Sequence, residues 1–156
     1  MPRSLRDELH QRRPFTSRTE EAHLNLIRTA ATLSDGVERV LKPAGISLPQ
    51  YNVLRILRGA GHDGLCRNAI RDRLLTRMPD VTRLLDRMEE SGLVMRTRET
   101  ADRRQVRTHL TPQGRDVVNG LDDAIATEHQ ARLGHLAEHE LATLITLLET
   151  VRHPDA

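Results

Sequence analysis

The feature that most constrains this chain is a change of hydrophobic period. Over Leu93 to Glu99 and again over Gln105 to Leu110, apolar and polar residues alternate as they do in half-buried strands. Elsewhere the apolar residues recur at the spacing of one buried helix face. The five or six residues between the two alternating runs predict an exposed hairpin tip. A helical chain interrupted by one hairpin is the expected outcome, a mainly α (α+β) fold.

Caps and breakers divide the helical parts. Ser4-Leu5-Arg6-Asp7 predicts a capping box opening a short helix to about Arg12, stopped by Pro14. Ser17-Arg18-Thr19-Glu20 opens a long helix whose face Leu26, Ile27, Ala30, Leu33, Val37, Val40 and Leu41 is expected to be buried. Lys42 sits in its last turn, and Pro43 and Gly45 end it. Ser47 caps the next helix, with Pro49 in its first turn and Val53, Leu54 and Leu57 inward, before Gly59, Gly61 and Gly64 break it. Asn68 is the expected N-cap of a short helix with Ile70, Leu74 and Leu75 inward. A further helix is expected to start between Thr76 and Pro79, because proline belongs in a first turn, and to run through Glu90 to a stop at Gly92. Thr111-Pro112 predicts a long helix to about Leu133, broken near Gly134. The last helix spans about Glu138 to Val151, with Leu141, Leu144, Ile145, Leu148 and Val151 at helical spacing.

Composition narrows the function. A length of 156 residues suits a single domain, and its only aromatic residues are Phe15 and Tyr51. Base stacking on protein rings, as in single-strand and RNA recognition, is therefore disfavoured. Net charge is +2, but from Arg67 to Arg107 eleven arginines face seven acids, and from Thr108 onward three arginines face eight. A basic middle beside an acidic tail fits an anionic partner for the middle alone. Of 24 basic residues only Lys42 is a lysine, and arginine is the better fork for phosphate and guanine. Cys66 is the lone cysteine, so no intrachain disulfide or Cys-rich zinc site is expected. No apolar run is long enough to span a membrane, and the N-terminus lacks the apolar core of a secretory signal. A cytoplasmic protein is the expectation.

The chemistry gathers between Asn68 and Leu110. In the helix after Pro79, Val81, Leu84, Leu85 and Met88 form the apolar side; Arg77, Asp80, Arg83 and Arg87 share the other, with Thr82 beside them. Such a helix fits the major groove, where arginine reads guanine edges and threonine bonds phosphate or touches a thymine methyl. Taken alone, it fits equally well a surface helix laced with Arg–Asp pairs. The hairpin that follows, carrying Arg96, Arg98, Arg103, Arg104 and Arg107, tips the balance. Two helices followed by a basic hairpin describe a winged helix-turn-helix, with the wing tip placing an arginine in the minor groove. Asp102 beside Arg103 and Arg104 reads as a brace that directs one guanidinium before DNA arrives.

Four segments then carry a family resemblance: LPQYNVLRIL (Leu48–Leu57), VTRLLDRMEESGLV (Val81–Val94), Asp102-Arg103-Arg104, and LTPQGR (Leu110–Arg115). In this order and spacing the chain resembles the multiple antibiotic resistance regulator (MarR) family of bacterial transcription factors. The resemblance implies a winged helix-turn-helix with long N- and C-terminal dimerisation helices (residues 17–44 and 112–153), a DNA-binding lobe over 47–111, and a wing at about 99–104. It implies a homodimeric regulator, usually a repressor, on a pseudo-palindromic operator, released by a small-molecule effector. It places Arg77, Asp80, Thr82, Arg83 and Arg87 on the recognition helix and Asp102, Arg103 and Arg104 on the wing. The roles of groove insertion and pairing with Asp102 stay open between Arg103 and Arg104, with the Asp-x-Arg spacing favouring Arg104 for one of them. Two departures stand out. The connection LLTRMPD is about one residue longer than the usual family turn, and Ala137 stands where many relatives carry a Ser or Thr cap. An alanine cap costs about 1 kcal/mol, so the last helix is expected to fray at its start.

Other chemistry is weaker. Cys66 reads as a small buried apolar residue rather than a redox sensor. His135 and His139 have zinc spacing, with His129 upstream, but Gly134 predicts a helix break near His135, and solvated histidines are the better reading. No H-E-x-x-H, G-x-S-x-G, phosphate-cradling loop or dinucleotide fingerprint occurs. No enzyme, cofactor or metal is therefore expected. His23 and Arg28 read as a solvated face of the first long helix, and no effector-binding residues are assigned. The competing function is a dimeric winged-helix interaction module that does not bind DNA.

Overall fold

The computed structural model describes residues 3–98 and 105–153. Its elements are α1 (Leu5–Glu8), α2 (Arg18–Leu41), α3 (Leu48–Ala60), β1 (Leu65–Cys66), α4 (Arg67–Arg73), α5 (Val81–Glu90), β2 (Val94–Arg98), β3 (Val106–Leu110), α6 (Pro112–Gly120), α7 (Asp122–Leu133) and α8 (Glu138–Arg152). The architecture is the expected winged helix-turn-helix: mostly helical, with a small antiparallel sheet in the order β1-β3-β2. β2 and β3 pair from Val94↔Leu110 to Arg98↔Val106. The expected wing tip, with Asp102, Arg103 and Arg104, lies outside the described residues.

Most helix starts follow the caps. Ser17 Oγ accepts from the Glu20 N–H (3.0 Å), and the Glu20 carboxylate accepts from the Thr16 N–H and hydroxyl (2.6 and 2.7 Å). Those two bonds hold the Glu20 carboxyl below its ordinary range. Ser47 and Gln50 cap α3 reciprocally, N–H to side chain at 2.9 and 3.4 Å. Helix α8 has no side-chain cap on Ala137, but Glu140 accepts the Ala137 N–H at 2.8 Å, so one orphan donor of the first turn is satisfied.

The core joins the lobe to the helices beside it. Leu54 and Leu57 of α3, Ile70 of α4, Leu85 and Met88 of α5, Val94 of β2 and Val118 of α6 are almost completely buried. Leu41, Leu121 and Ile125 extend the same cluster toward the long helices. The LTPQGR segment is legible physically. Thr111 Oγ1 donates to the Gly92 and Leu93 carbonyls (2.6 and 3.1 Å) and accepts the Gly114 N–H (3.0 Å). Gly114 then lies so close to Leu93 that a Cβ would overlap its carbonyl oxygen. The wing strands are thereby tied to the start of α6.

Several boundaries differ from expectation. Helix α1 ends at Glu8, not near Arg12, because His10 takes a positive φ of 51° that no helix continues. The long helix after Pro112 breaks at Leu121, where Asn119-Gly120, two weak helix formers, precede a residue at φ −94°, ψ −12°. The apolar faces of α2 and α8 are largely uncovered within the chain. In α2 only Gly36 and Leu41 are buried, and Ile27 is 56% exposed. Helix α8 buries no residue, and Ile145 and Val151 are 55% and 64% exposed.

Candidate nucleic-acid interface

Helix α5 starts later than the proline suggested. Pro79 precedes the helix, and Asp80 is the N-cap, accepting the Arg83 N–H at 2.9 Å. A carboxylate at that position satisfies an orphan donor and favours the positive helix end. Asp80 is thus engaged in starting the helix, and Arg77 lies in the connection before it, not on the helix. In that connection Met78 packs against the core, whereas Leu75, expected inward, is 85% exposed. The Leu75 N–H is held by Asn52 Oδ1 of α3 at 2.9 Å.

The helix itself is divided as its spacing implied. Val81, Leu84, Leu85 and Met88 are buried, while Thr82, Arg83 and Arg87 are exposed on the outer side. Among the described residues neither Arg83 nor Arg87 forms a side-chain ion pair, and both project from a helix whose inner face is buried. Arg67, at the start of α4, donates to Thr82 Oγ1 (3.3 Å) and Asn68 Oδ1 (3.4 Å), placing a further guanidinium beside the helix. Between α4, α5 and the sheet lies an open cavity of about 610 Å³ lined by Arg67, Asn68, Thr82, Arg96, Gln105 and Thr108 among others.

The hairpin arginines do not all face outward. Arg96 donates through Nε and Nη2 to Glu89 Oε2 (2.8 and 2.6 Å) and through Nη2 to Asp86 Oδ1 (2.7 Å), and its backbone N–H donates to Glu89 Oε1 (3.0 Å). The expectation of Arg96 as part of a free basic hairpin is corrected accordingly: it rivets β2 to α5. The Glu89 hydrogen bond raises the Arg96 pKa, and the same bond holds the Glu89 carboxyl below its ordinary value. Arg107 points its Nη1 at the Asp63 and Gly64 carbonyls (3.4 and 3.5 Å). His109 bridges Thr97 Oγ1 (3.0 Å) and the His62 carbonyl (3.2 Å), joining both wing strands to the loop before β1.

Two further expectations change. Cys66 is exposed, not buried, because it is the N-cap of α4; the helix starts at Arg67, two residues from β1's first residue, and not after Asn68. The sequence missed β1 because two residues are too short to show alternation. His135 falls in the connection between α7 and α8, so it and His139 do not share a helix. Arg28 is held by Glu8 of α1 at 3.7 Å. Asn52, Glu89 and Arg96 were the site residues missed as such. The Glu89–Arg96 spacing of seven crosses from helix to strand, so no helical or strand periodicity marks it.

Comparison with known proteins agrees with this geometry. A profile described as "MarR family" matches residues 46–106. A crystal structure of a MarR transcription factor from Planctomyces limnophilus is 41% identical, covering 87% of this chain and 98% of that one, with a TM-score of 0.66. The HTH-type transcriptional repressor IacR of Pseudomonas putida is 25% identical over 128 residues, 82% of this chain and 75% of that protein. The structure of Bordetella bronchiseptica BpsR, whose DNA binding is regulated by 6-hydroxynicotinic acid, superposes with a TM-score of 0.77 at 23% identity over 92% of this chain and 99% of that one.

Proposed function

The chain belongs to the MarR family of transcriptional regulators, and from that premise we propose that it is a homodimeric repressor that reads a pseudo-palindromic site in double-stranded DNA and is relieved by a small-molecule effector. The observation that carries the proposal is the outer face of α5. Thr82, Arg83 and Arg87 stand exposed on a helix whose other face is buried and whose angle to the wing is fixed by Arg96. Guanidinium forks on a rigid helix suit the major groove, and the ordering cost of docking is low. In this reading Arg83 and Arg87 reach base edges and Thr82 contacts a phosphate or a thymine methyl. Asp80 starts the helix, Arg77 approaches the backbone from the connection, and Asp102, Arg103 and Arg104 form the wing tip.

The uncovered apolar faces of α2 and α8 support pairing of two chains through residues 17–44 and 112–153. Such a pair would hold two lobes about one DNA turn, or 34 Å, apart. A small molecule lodged between these helices and the lobe would change that spacing; the DNA binding of BpsR is regulated by 6-hydroxynicotinic acid. No helix among the described residues is long and apolar enough to cross a membrane, and the proposed place of action is the cytoplasm. The relatives named above are regulators, and no catalytic step or cofactor enters the proposal.

A mobility-shift assay on duplex DNA from upstream of the chain's own coding region tests it. A shift at low salt that weakens steeply as salt rises is expected, because phosphate contacts release counterions. A folded dimer that shifts neither this DNA nor any other duplex overturns it in favour of an interaction module.

A further inference from the structure

Helices α6 and α7 meet at a joint, and one guanidinium spans it. Leu121 belongs to neither helix; its N–H turns back to the Asn119 and Val118 carbonyls, the latter at 3.4 Å. Before the joint, α6 packs on α3, with Val118 fully buried in the lobe core. Beyond it, α7 packs on α2, where Gly36 leaves room for Glu128 that a Cβ would fill. Leu121 and Ile125 continue the apolar cluster across the joint. Apolar contact is non-directional, so it holds the two sides together without fixing their angle.

Arg58 of α3 supplies the direction. Its Nη1 donates to Asn119 Oδ1 (2.9 Å) on α6 and to Asp122 Oδ2 (2.8 Å) on α7, and its Nη2 donates to Asp122 Oδ1 (3.0 Å). A two-pronged fork onto a carboxylate fixes both distance and plane. Asp122 also stands in the first turn of α7, where a negative charge is favoured. The Arg58 hydrogen bond holds the Asp122 carboxyl below its ordinary value, so the pair is formed at neutral pH.

We propose that Arg58 is a positioning residue that sets the angle between the DNA-reading lobe and the α7 arm, and through it the half-site spacing that the dimer accepts. The inference rests on the functional reading above for its consequence at DNA, though not for the angle itself. One inserted base pair moves a half-site by about 3.4 Å and about a tenth of a turn. A lobe held at one angle rejects that displacement, whereas a lobe free to swing follows it. Exposed ion pairs add little to global stability, so losing the fork leaves the fold intact.

Two measurements test this on the full chain, in a Cys66→Ser background. In the first, spin labels at Glu90→Cys on α5 and Ala126→Cys on α7 report the lobe-to-arm distance, with labelled chains diluted into unlabelled ones. Arg58→Ala and Asp122→Asn are expected to broaden the distribution at unchanged thermal midpoint, and Arg58→Lys, which keeps charge but loses the fork, to broaden it less. In the second, duplexes selected from a random pool by the unsubstituted protein are altered by one base pair at their centre. The unsubstituted protein is expected to lose about tenfold in affinity, the cost of a misfit contact, and Arg58→Ala to lose only about twofold. Wild-type distribution widths in Arg58→Ala overturn the proposal. If the unsubstituted protein selects no duplex, the DNA reading fails, and the label distances alone decide the role of Arg58.

Discussion

Helices α5 and α8 carry the same kind of apolar repeat and meet opposite fates. In α5 every residue of the repeat is covered, from Val81 at 6% exposure to Met88 at 0%, and Thr82, Arg83 and Arg87 are left exposed on the other side. In α8 no residue of the repeat is buried, and Ile145 and Val151 stay more than half exposed. The same amphipathic pattern therefore supports two kinds of statement. Where one chain completes the burial, the opposite face is free for a ligand; where it does not, the apolar face itself is the part awaiting a partner. Helix α2 repeats the contrast along its own length, with Ile27 half-exposed toward one end and Leu41 fully buried at the other.

The contrast breaks most sharply in stability. Met88→Ala empties a fully buried site and is expected to cost about 2–5 kcal/mol in urea unfolding. Val151→Ala, at concentrations where the chain is monomeric, is expected to stay within about 0.5 kcal/mol. Equal costs at the two sites would dissolve the distinction. Next comes association. Ile145→Asp is expected to convert a dimer to a monomer in sedimentation at micromolar concentration while leaving the lobe folded, since a desolvated charge at an apolar seam is costly. A dimer that persists would place the seam elsewhere.

Smaller effects sharpen the account of the lobe. Arg96→Ala removes the tie between α5 and β2. After allowance for solvent screening it is expected to cost about 1 kcal/mol of stability, with a larger proportional loss of DNA affinity because α5 and the wing no longer hold one angle. Loss of stability without loss of affinity would make the tie purely architectural. The smallest effect is in acid. Glu89 has its folded pKa lowered from 4.5 by the Arg96 hydrogen bond. Its contribution is fully present above that ordinary value and is lost as pH falls through the lowered folded one. Glu89→Gln is therefore expected to be less stable at neutral pH and to show a shallower acid limb than the unsubstituted protein.

Periodicity and caps were enough for the helices and the hairpin, because both are local signals. Val81, Leu84, Leu85 and Met88 are the buried face that their spacing required. What escaped was set by contacts distant in sequence or by positions just outside a helix. Pro79 satisfied the rule for a first turn, yet Asp80 won the cap because its carboxylate takes the Arg83 N–H. That choice moved Arg77 off the helix. Arg96 looked like one more wing arginine, since nothing local shows that Glu89 and Asp86 lie across from it. Cys66 was expected inside on residue type alone, and its place at a helix start put it outside. The break at Leu121 was visible in principle in Asn119-Gly120, but the apolar pattern runs on through Ile125 and concealed it.

The central claim is that the outer face of α5 reads bases and does not merely bind charge. The most direct measurement is the ratio of affinities for a selected duplex and a scrambled one, at one fixed salt concentration, for the unsubstituted protein and for Arg83→Ala. A base contact is worth about 1–3 kcal/mol of discrimination, so the ratio is expected to fall about fivefold or more while scrambled-duplex binding changes little. An unchanged ratio, with both affinities falling together or neither falling, would contradict it.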